Sequence, residues 1–426
     1  MSKADALLRA MFDAAVAAAN PDHVVPPFLP EKPKGKVIVL GAGKASAAMA
    51  KAAENVIVSN WGIKPSGLVV TQYGAAVVCE YIEIVEANHP VPDASGLAAA
   101  ERILALAQAA GPNDLVLFLV SGGGSSLLPL PGEGLSLDDK QAINKALLKS
   151  GAAIHEMNVV RKHLSAIKGG RLAAAAYPAK LVTLGISDVP GDDFGTIASG
   201  PTIADPTSAS DAADILARYK IDLPDHINNF LKQDAAQTPH PSDACFANAK
   251  AIMVAKPQAS LEAAANVAAE AGYTPLILGD AIEGEASDVG LVMAGIAKQV
   301  RGYNQPVSAP VALISGGETT VTVNGPAGRG GRNTAFLLSF AIAMDDMAGV
   351  SAIACDTDGI DGSEDNAGAV YLPGDISRAG DAERRAVDYL TGFDSYSFFN
   401  AANRLVMTGP TRTNVNDLRV VLVDPA

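Results

Sequence analysis

Short runs of branched and aromatic apolar residues alternate along the chain with longer alanine- and leucine-rich stretches whose apolar positions recur at helical spacing. After a first amphipathic helix over residues 4–19, the runs at 36–40, 67–71, 81–86, 115–120 and 181–185 predict strands, and 44–58, 95–110, 137–150 and 156–176 predict helices. Continuously apolar strands interleaved with helices are the mark of a parallel sheet covered on both faces, so the fold class is α/β. A second series follows, with strands at 251–255, 275–278, 311–314, 350–355 and 418–423 and helices at 258–271, 284–300 and 332–346. Between the two, residues 203–245 are dense in turn formers, as in Asp205-Pro206-Thr207 and Gln237-Thr238-Pro239-His240-Pro241, and read as a connector. The expected organisation is two α/β/α domains: 1–240 with a largely parallel, Rossmann-like sheet, and 241–426 with a smaller mixed sheet.

Composition narrows the function classes. With 426 residues, 49% of them hydrophobic, the chain can bury more than one core. Its 46 Asp and Glu against 32 Lys and Arg leave a net charge of −14, which repels nucleic acid and anionic membrane. Every apolar segment is broken well short of the roughly 20 residues needed to span a bilayer, and Met1-Ser2-Lys3-Ala4-Asp5 does not open a secretory signal. A cytoplasmic protein is expected. Cys79, Cys245 and Cys355 are odd in number and far apart, so they read as small core residues and not as a disulfide or zinc framework.

Glycines cluster at the ends of predicted strands, where open α/β sheets bind ligands. In Gly41-Ala42-Gly43-Lys44-Ala45-Ser46, Gly41 and Gly43 permit close approach of a ligand, and a helix starting at Lys44 would aim amides at an anion. The dinucleotide fingerprint wants glycine where Ser46 stands, and a Walker loop wants a longer glycine spacing, so neither motif is complete. A plain strand-to-helix turn with a solvated lysine accounts for the segment equally well. Ser121-Gly122-Gly123-Gly124-Ser125-Ser126 forms a donor-rich loop suited to phosphate or carboxylate, without the elbow that would make one of its serines a nucleophile. Arg161 and Lys168, seven residues apart, would share one face of the predicted helix 156–176 with Ser165 between them. That face suits an anionic substrate, although a solvated helix surface is the commoner meaning of a charge run. Lys140 reads as an exposed residue of the helix 137–150. Asp188, just past a strand, could hold Mg²⁺ through water, serve as base toward a hydroxyl, or build a turn.

Two further segments lie in the second half, Ser315–Asn333 and Asp356–Gly362. Ser315-Gly316-Gly317-Glu318 echoes the earlier Ser-Gly-Gly loop, a likeness that shared turn chemistry explains as well as duplication. Gly328-Arg329-Gly330-Gly331-Arg332-Asn333 places two arginines in a glycine-dense loop at a helix start, an arrangement suited to a transferring phosphoryl group. Asp356 and Asp358, after an apolar run, suit Mg²⁺ or a sugar-like hydroxyl.

Taken in order, these six segments resemble the glycerate 2-kinase family, whose second domain is called MOFRL, and the resemblance covers nearly the whole chain. It implies a two-domain enzyme that transfers the γ-phosphoryl of ATP to D-glycerate, giving 2-phosphoglycerate with Mg²⁺. It also implies a functional lysine at Lys44 and a functional arginine at Arg329 or Arg332. Similar proteins are also called hydroxypyruvate reductases, an NADH- or NADPH-dependent alternative that the interrupted fingerprint opposes; a non-catalytic binding module is a third reading. The assembly is left open, a homodimer included. Lys44→Ala and Arg332→Ala are each expected to lower kcat/KM by roughly 100-fold or more with folding nearly unaffected.

Overall fold

The computed structural model describes residues 2–189, 191–379 and 385–426. The chain divides into two compact units, Pro21–Val254 and Met1–Asn20 together with Ala255–Ala426.

The first unit is built on β1 (Val37–Ala42), β2 (Ser66–Gln72), β3 (Glu83–Ala87), β4 (Leu115–Val120), β5 (Lys180–Ile186) and β6 (Ala249–Ala255). Their spatial order is β3-β2-β1-β4-β5-β6, and the pairings of β1 with β2 and β4, β2 with β3, and β4 with β5 are parallel. β1 and β4 are buried throughout, as their unbroken apolar sequences require. Ile38, Leu40, Val116 and Phe118 pack under Ala99, Ala100 and Ile103 of the helix Ala94–Gln108. The region 203–245 is more than a connector. It contains the helices Ala209–Arg218 and Asp225–Phe230, whose Ala212, Leu216, Ile227 and Phe230 close a separate core with Leu147, Met157 and Val160. Proline and turn density masked them because each helix is short and the apolar face is completed by distant residues. Leu216→Ala is therefore expected to destabilise the protein by about 2–4 kcal/mol in urea unfolding; a change below about 0.5 kcal/mol would return this region to the status of a linker.

The second unit carries β7 (Thr274–Gly279), β8 (Gly284–Glu285), β9 (Val311–Ser315), β10 (Thr319–Thr320), β11 (Val350–Asp356), β12 (Gly368–Tyr371), β13 (Leu405–Val406) and β14 (Asp417–Val423). Six of these form a mixed sheet in the order β13-β12-β11-β14-β9-β7, with β8 and β10 paired separately. Alternate residues face opposite layers. Leu313, Ala352, Ala354 and Val421 meet the helices Ala286–Tyr303 and Arg332–Met344, while Ile314, Ile353, Cys355 and Val420 meet Lys3–Ala18 and Pro257–Glu270.

The second layer explains why the first helix leaves its neighbours in sequence. Leu8, Met11, Phe12 and Ala15 are buried against Leu261, Ala264 and Ala268, and each large side chain so covered contributes roughly 1.5–3 kcal/mol. The expected boundary within 203–245 accordingly lies at Val254, with residues before Pro21 belonging to the later unit. Cys355 is part of this core and the three cysteines are free. Among the described residues no helix is long and apolar enough to cross a membrane.

Candidate active site

In the first sheet the chain passes from β1 to β2 to β3 on one side and from β4 to β5 to β6 on the other, so the winding reverses between β1 and β4. Ligands of open parallel sheets bind beyond the carboxyl ends of the strands at such a switch point. The turns after β1 and β4 are the two glycine-rich segments expected to carry chemistry, and they interlock. Lys44 donates its amide to the Gly122 carbonyl at 2.9 Å, and Ala45 donates its amide to Ser121 Oγ at 2.9 Å. Gly43 has φ +142°, and a Cβ there would strike Ser121 Oγ, so only glycine allows the approach.

This interlock corrects one expectation. Gly43 N binds Val70 O and Ser46 N binds Gly43 O, so all four amides from Gly43 to Ser46 are engaged inside the protein. The helix starts at Ser46, not at Lys44, and Ser46 is wholly buried with Oγ donating to Leu119 O at 3.1 Å. The first turn cannot cradle a pyrophosphate with its backbone. The loop after β4 differs: the amides of Gly122 and Gly123 meet no acceptor among the described residues. Half-buried Lys44 passes over Gly123, where a Cβ would come within 3.3 Å of Lys44 Cγ and 3.1 Å of the His89 ring. Gly124 opens a short helical turn, and a Cβ there would meet Ala42 O at 2.9 Å. Gly41 packs on Leu119. Asp188 follows β5, the parallel neighbour of β4, and so emerges half-buried at the same edge of the sheet.

The predicted helix 156–176 is broken. It ends at His163, Ser165 pairs with Pro131 in an isolated bridge, and Gly169 and Gly170, at φ +57° and +82°, lead into a new helix at Arg171. Arg161 and Lys168 therefore share no helix face, yet the fold links them by another route. Lys168, 2% exposed, donates to Ser125 O at 2.8 Å, Ser125 Oγ at 3.1 Å and Ala198 O at 3.2 Å. Ser125 Oγ lies 3.0 Å from Ser199 Oγ, and Ser199 donates to Asn158 Oδ1, which also accepts from Arg161 Nη1. Burial, then the charges of Lys140 and Arg161, push the Lys168 pKa well below that of an ordinary lysine. Lys140 is not exposed either; it is half-buried and its Nζ donates to Leu130 O at 3.2 Å.

In the C-terminal unit the expected segments also converge. Arg332 Nε binds Asp417 at 3.0 and 3.1 Å, Nη1 binds Glu318 at 2.6 Å and Nη2 binds Asp356 at 2.7 Å. Burial opposes its charge, but Asp417, Asp356 and Glu318 outweigh it and raise its pKa. Asp417 also holds Asn333 Nδ2 and Arg419, a fully buried arginine that donates to the carbonyls of Gly316 and Gly317. Asp361 caps the helix after the glycine-rich loop, accepting from Asn333 N, Thr334 N and Thr334 Oγ1. A protein carboxylate thus stands where an anion was expected. Arg329 is exposed, paired with Glu364 and stacked 3.8 Å from the centre of the Tyr396 ring. Ser315 is buried at the end of β9 with Oγ unpartnered among the described residues. A cavity of about 770 Å³ in this unit is lined by Glu318, Thr320, Val321, Gly330, Arg332 and Phe393.

Asp356 and Asp358, expected to bind a metal, are both engaged within the protein. Asp356 is committed to Arg332 and to Asp358 N, Asp358 Oδ1 accepts from Ile360 N, and no group of three or more His, Cys, Asp or Glu among the described residues is arranged to hold a metal. Asp417, Arg419 and Asp361 were missed from sequence. The signal for the first two was a pair of opposite charges alternating inside the apolar run Asp417-Leu418-Arg419-Val420-Val421-Leu422-Val423, which a buried strand tolerates only when they are paired.

Two family profiles match: a domain of unknown function, DUF4147, over residues 7–232, and the MOFRL family over 311–417. A protein of Thermotoga maritima named D-glycerate 2-kinase is 41% identical, over 96% of this chain and 95% of its own. The chain belongs to the glycerate 2-kinase family. A crystal structure of a glycerate kinase from the same organism superposes with a TM-score of 0.88 at 39% identity, covering 99% of both chains. An Agrobacterium vitis relative, 55% identical over 98% of this chain and 94% of its own, carries the provisional name hydroxypyruvate reductase. Glycerate 2-kinase relatives thus carry names from two reaction classes, and the switch-point geometry bears on the choice between them.

Proposed function

We propose that this protein is a glycerate 2-kinase, transferring the γ-phosphoryl group of ATP to D-glycerate to give 2-phosphoglycerate and ADP. The observation that carries this reading is the turn after β1. Its four amides are engaged internally, buried Ser46 fills the position where a dinucleotide fold needs glycine, and Lys44 stands over the open amides of Gly122 and Gly123. A dinucleotide pyrophosphate would find no backbone donors there, whereas a transferring phosphoryl group would find a fixed cation and oriented N–H groups. The same observation disfavours a hydroxypyruvate reductase.

In this reading Lys44 and the two glycine amides stabilise charge on the phosphoryl oxygens. The glycerate 2-hydroxyl attacks phosphorus, its proton passes to Asp188, and the bond to the ADP oxygen breaks. Arg332 contributes by holding Glu318, Asp356 and Asp417 in place, and Arg329 is a surface residue of its loop. No step is assigned to Mg²⁺ through Asp356 or Asp358. The partners are small molecules, and a cytoplasmic location belongs to the same reading.

The test is a coupled assay run in parallel on one preparation. ADP release with ATP, Mg²⁺ and D-glycerate is expected, without oxidation of NADH or NADPH by hydroxypyruvate. Reductase turnover in the absence of kinase turnover would reverse the assignment.

A further inference from the structure

Three cations of the N-terminal unit are packed together without a counter-charge. Lys140 and Arg161 are half-buried and Lys168 is buried. Lys140 meets only a carbonyl among its hydrogen-bond partners, Leu130 O. Arg161 is held by the side-chain oxygens of Asn144 and Asn158, and Lys168 by Ser125 and the Ala198 carbonyl. No carboxylate among the described residues pairs with any of the three. Asp205, the nearest acidic group felt by the adjacent Arg171, is engaged by Lys162, Thr207 and Thr238. Such crowding in a chain of net charge −14 is costly unless an anion joins it.

An anion joining these cations would meet whichever donors the protein leaves unused. Lys168 has three N–H groups and three acceptors, so it contributes charge and ties the Ser121–Ser126 loop to Ala198. Arg161 uses Nε and one N–H on each terminal nitrogen, which leaves one N–H on Nη1 and one on Nη2. Lys140 retains two N–H groups beyond its bond to Leu130. The half-buried Ser125 hydroxyl borders the array, and Gln141, next to Lys140, donates to Pro92 O at 2.8 Å.

We propose that Arg161 and Lys140, with Lys168 as a fixed charge behind Ser125, form the site for the carboxylate of the hydroxy-acid substrate. The proposal rests on the kinase reading for the identity of that acid. Two parallel N–H groups of a guanidinium match a planar carboxylate, whereas the backbone amides of Gly122 and Gly123 beside Lys44 match a phosphoryl group. The chemistry is thereby divided between the two sides of one loop. Asn144, Asn158 and Ser199 are positioning residues, because they act by fixing Arg161 and Ser125.

Burial, then the charges of Arg161 and Arg171, push the Lys140 pKa down to about 7, and the charged groups facing it, Lys168 included, are all cationic. A bound carboxylate opposes that depression, so glycerate binding at pH 8 should take up protons. Calorimetric titration of the full-length protein with D-glycerate, in buffers of different ionisation enthalpy, reads the uptake without relying on turnover. Lys140→Met is expected to reduce the uptake, raise the KM for glycerate at least tenfold, leave the KM for ATP within twofold and raise the melting temperature at pH 6, where the lysine is charged and its removal relieves like-charge repulsion. A structural lysine would show the opposite sign in the melt. Arg161→Gln supplies the same KM comparison if Lys140→Met does not fold. Absence of proton uptake in the wild type, or a rise in the KM for ATP in place of that for glycerate, would overturn the proposal. Should kinase turnover be absent while glycerate binds with proton uptake, the reaction assigned above fails and the carboxylate site stands.

Discussion

Lys44→Met is expected to lower kcat/KM for glycerate phosphorylation by roughly 100-fold or more while shifting the melting temperature by no more than about 2 °C. Lys44 lies at the carboxyl edge of β1, over Gly123 and beside the unengaged Gly122 and Gly123 amides, at the switch point of the sheet. A preorganised cation aimed at developing phosphoryl charge is worth several kcal/mol in the transition state, because it need not reorganise when the charge appears. Its backbone secures the turn through the Lys44 N to Gly122 O bond, which a methionine keeps. Steady-state kinetics with both substrates, alongside a thermal melt, separates the cases. Near-wild-type turnover would remove Lys44 from the chemistry, and unfolding would make it structural.

Asp417→Ala is expected to be the most destabilising single change in the C-terminal unit, costing about 3–5 kcal/mol in denaturant unfolding. Asp417 is 2% exposed and accepts from Arg419 at 2.6 Å, from Arg332 Nε and from Asn333 Nδ2. Without it, the fully buried Arg419 retains only carbonyl and hydroxyl partners for its charge. Burial already pushes the Arg419 pKa down, with Asp417 as the main opposing influence. Arg332→Ala acts from the other side, leaving Glu318, Asp356 and Asp417 to repel one another. Loss of stability, not loss of charge alone, is therefore expected at Arg332, contrary to what its place in a glycine-rich loop suggests. An Asp417→Ala protein that unfolds at the wild-type urea midpoint would show that the cluster contributes nothing.

Much of the architecture was legible before any coordinates because it depends on local periodicity. The unbroken apolar runs that became β1 and β4 could only be doubly covered strands, and glycines at their ends marked the loops that flank the switch point. The same local reasoning failed over residues 164–170, where the helix is interrupted before Gly169 and Gly170 lead into a new one, and at residues 209–230, whose apolar faces are meaningful only against Leu147 and Val160.

The candidate site divides along the same line. Residue type and spacing were sufficient to single out Lys44, the Ser121–Ser126 loop, Arg161, Lys168 and Arg332 as chemically unusual. Whether each faces a ligand or another part of the protein depends on partners far away in the chain: Asp417 for Arg332, Ser125 for Lys168, Ser121 for Ala45. Such pairings carry no local signature, since a side chain's charge, solvation and free donors are set by whichever groups the completed fold brings within about 3 Å of it. Fold class therefore followed from short-range pattern, whereas the division into anion-ready and already neutralised cations came only from tertiary packing.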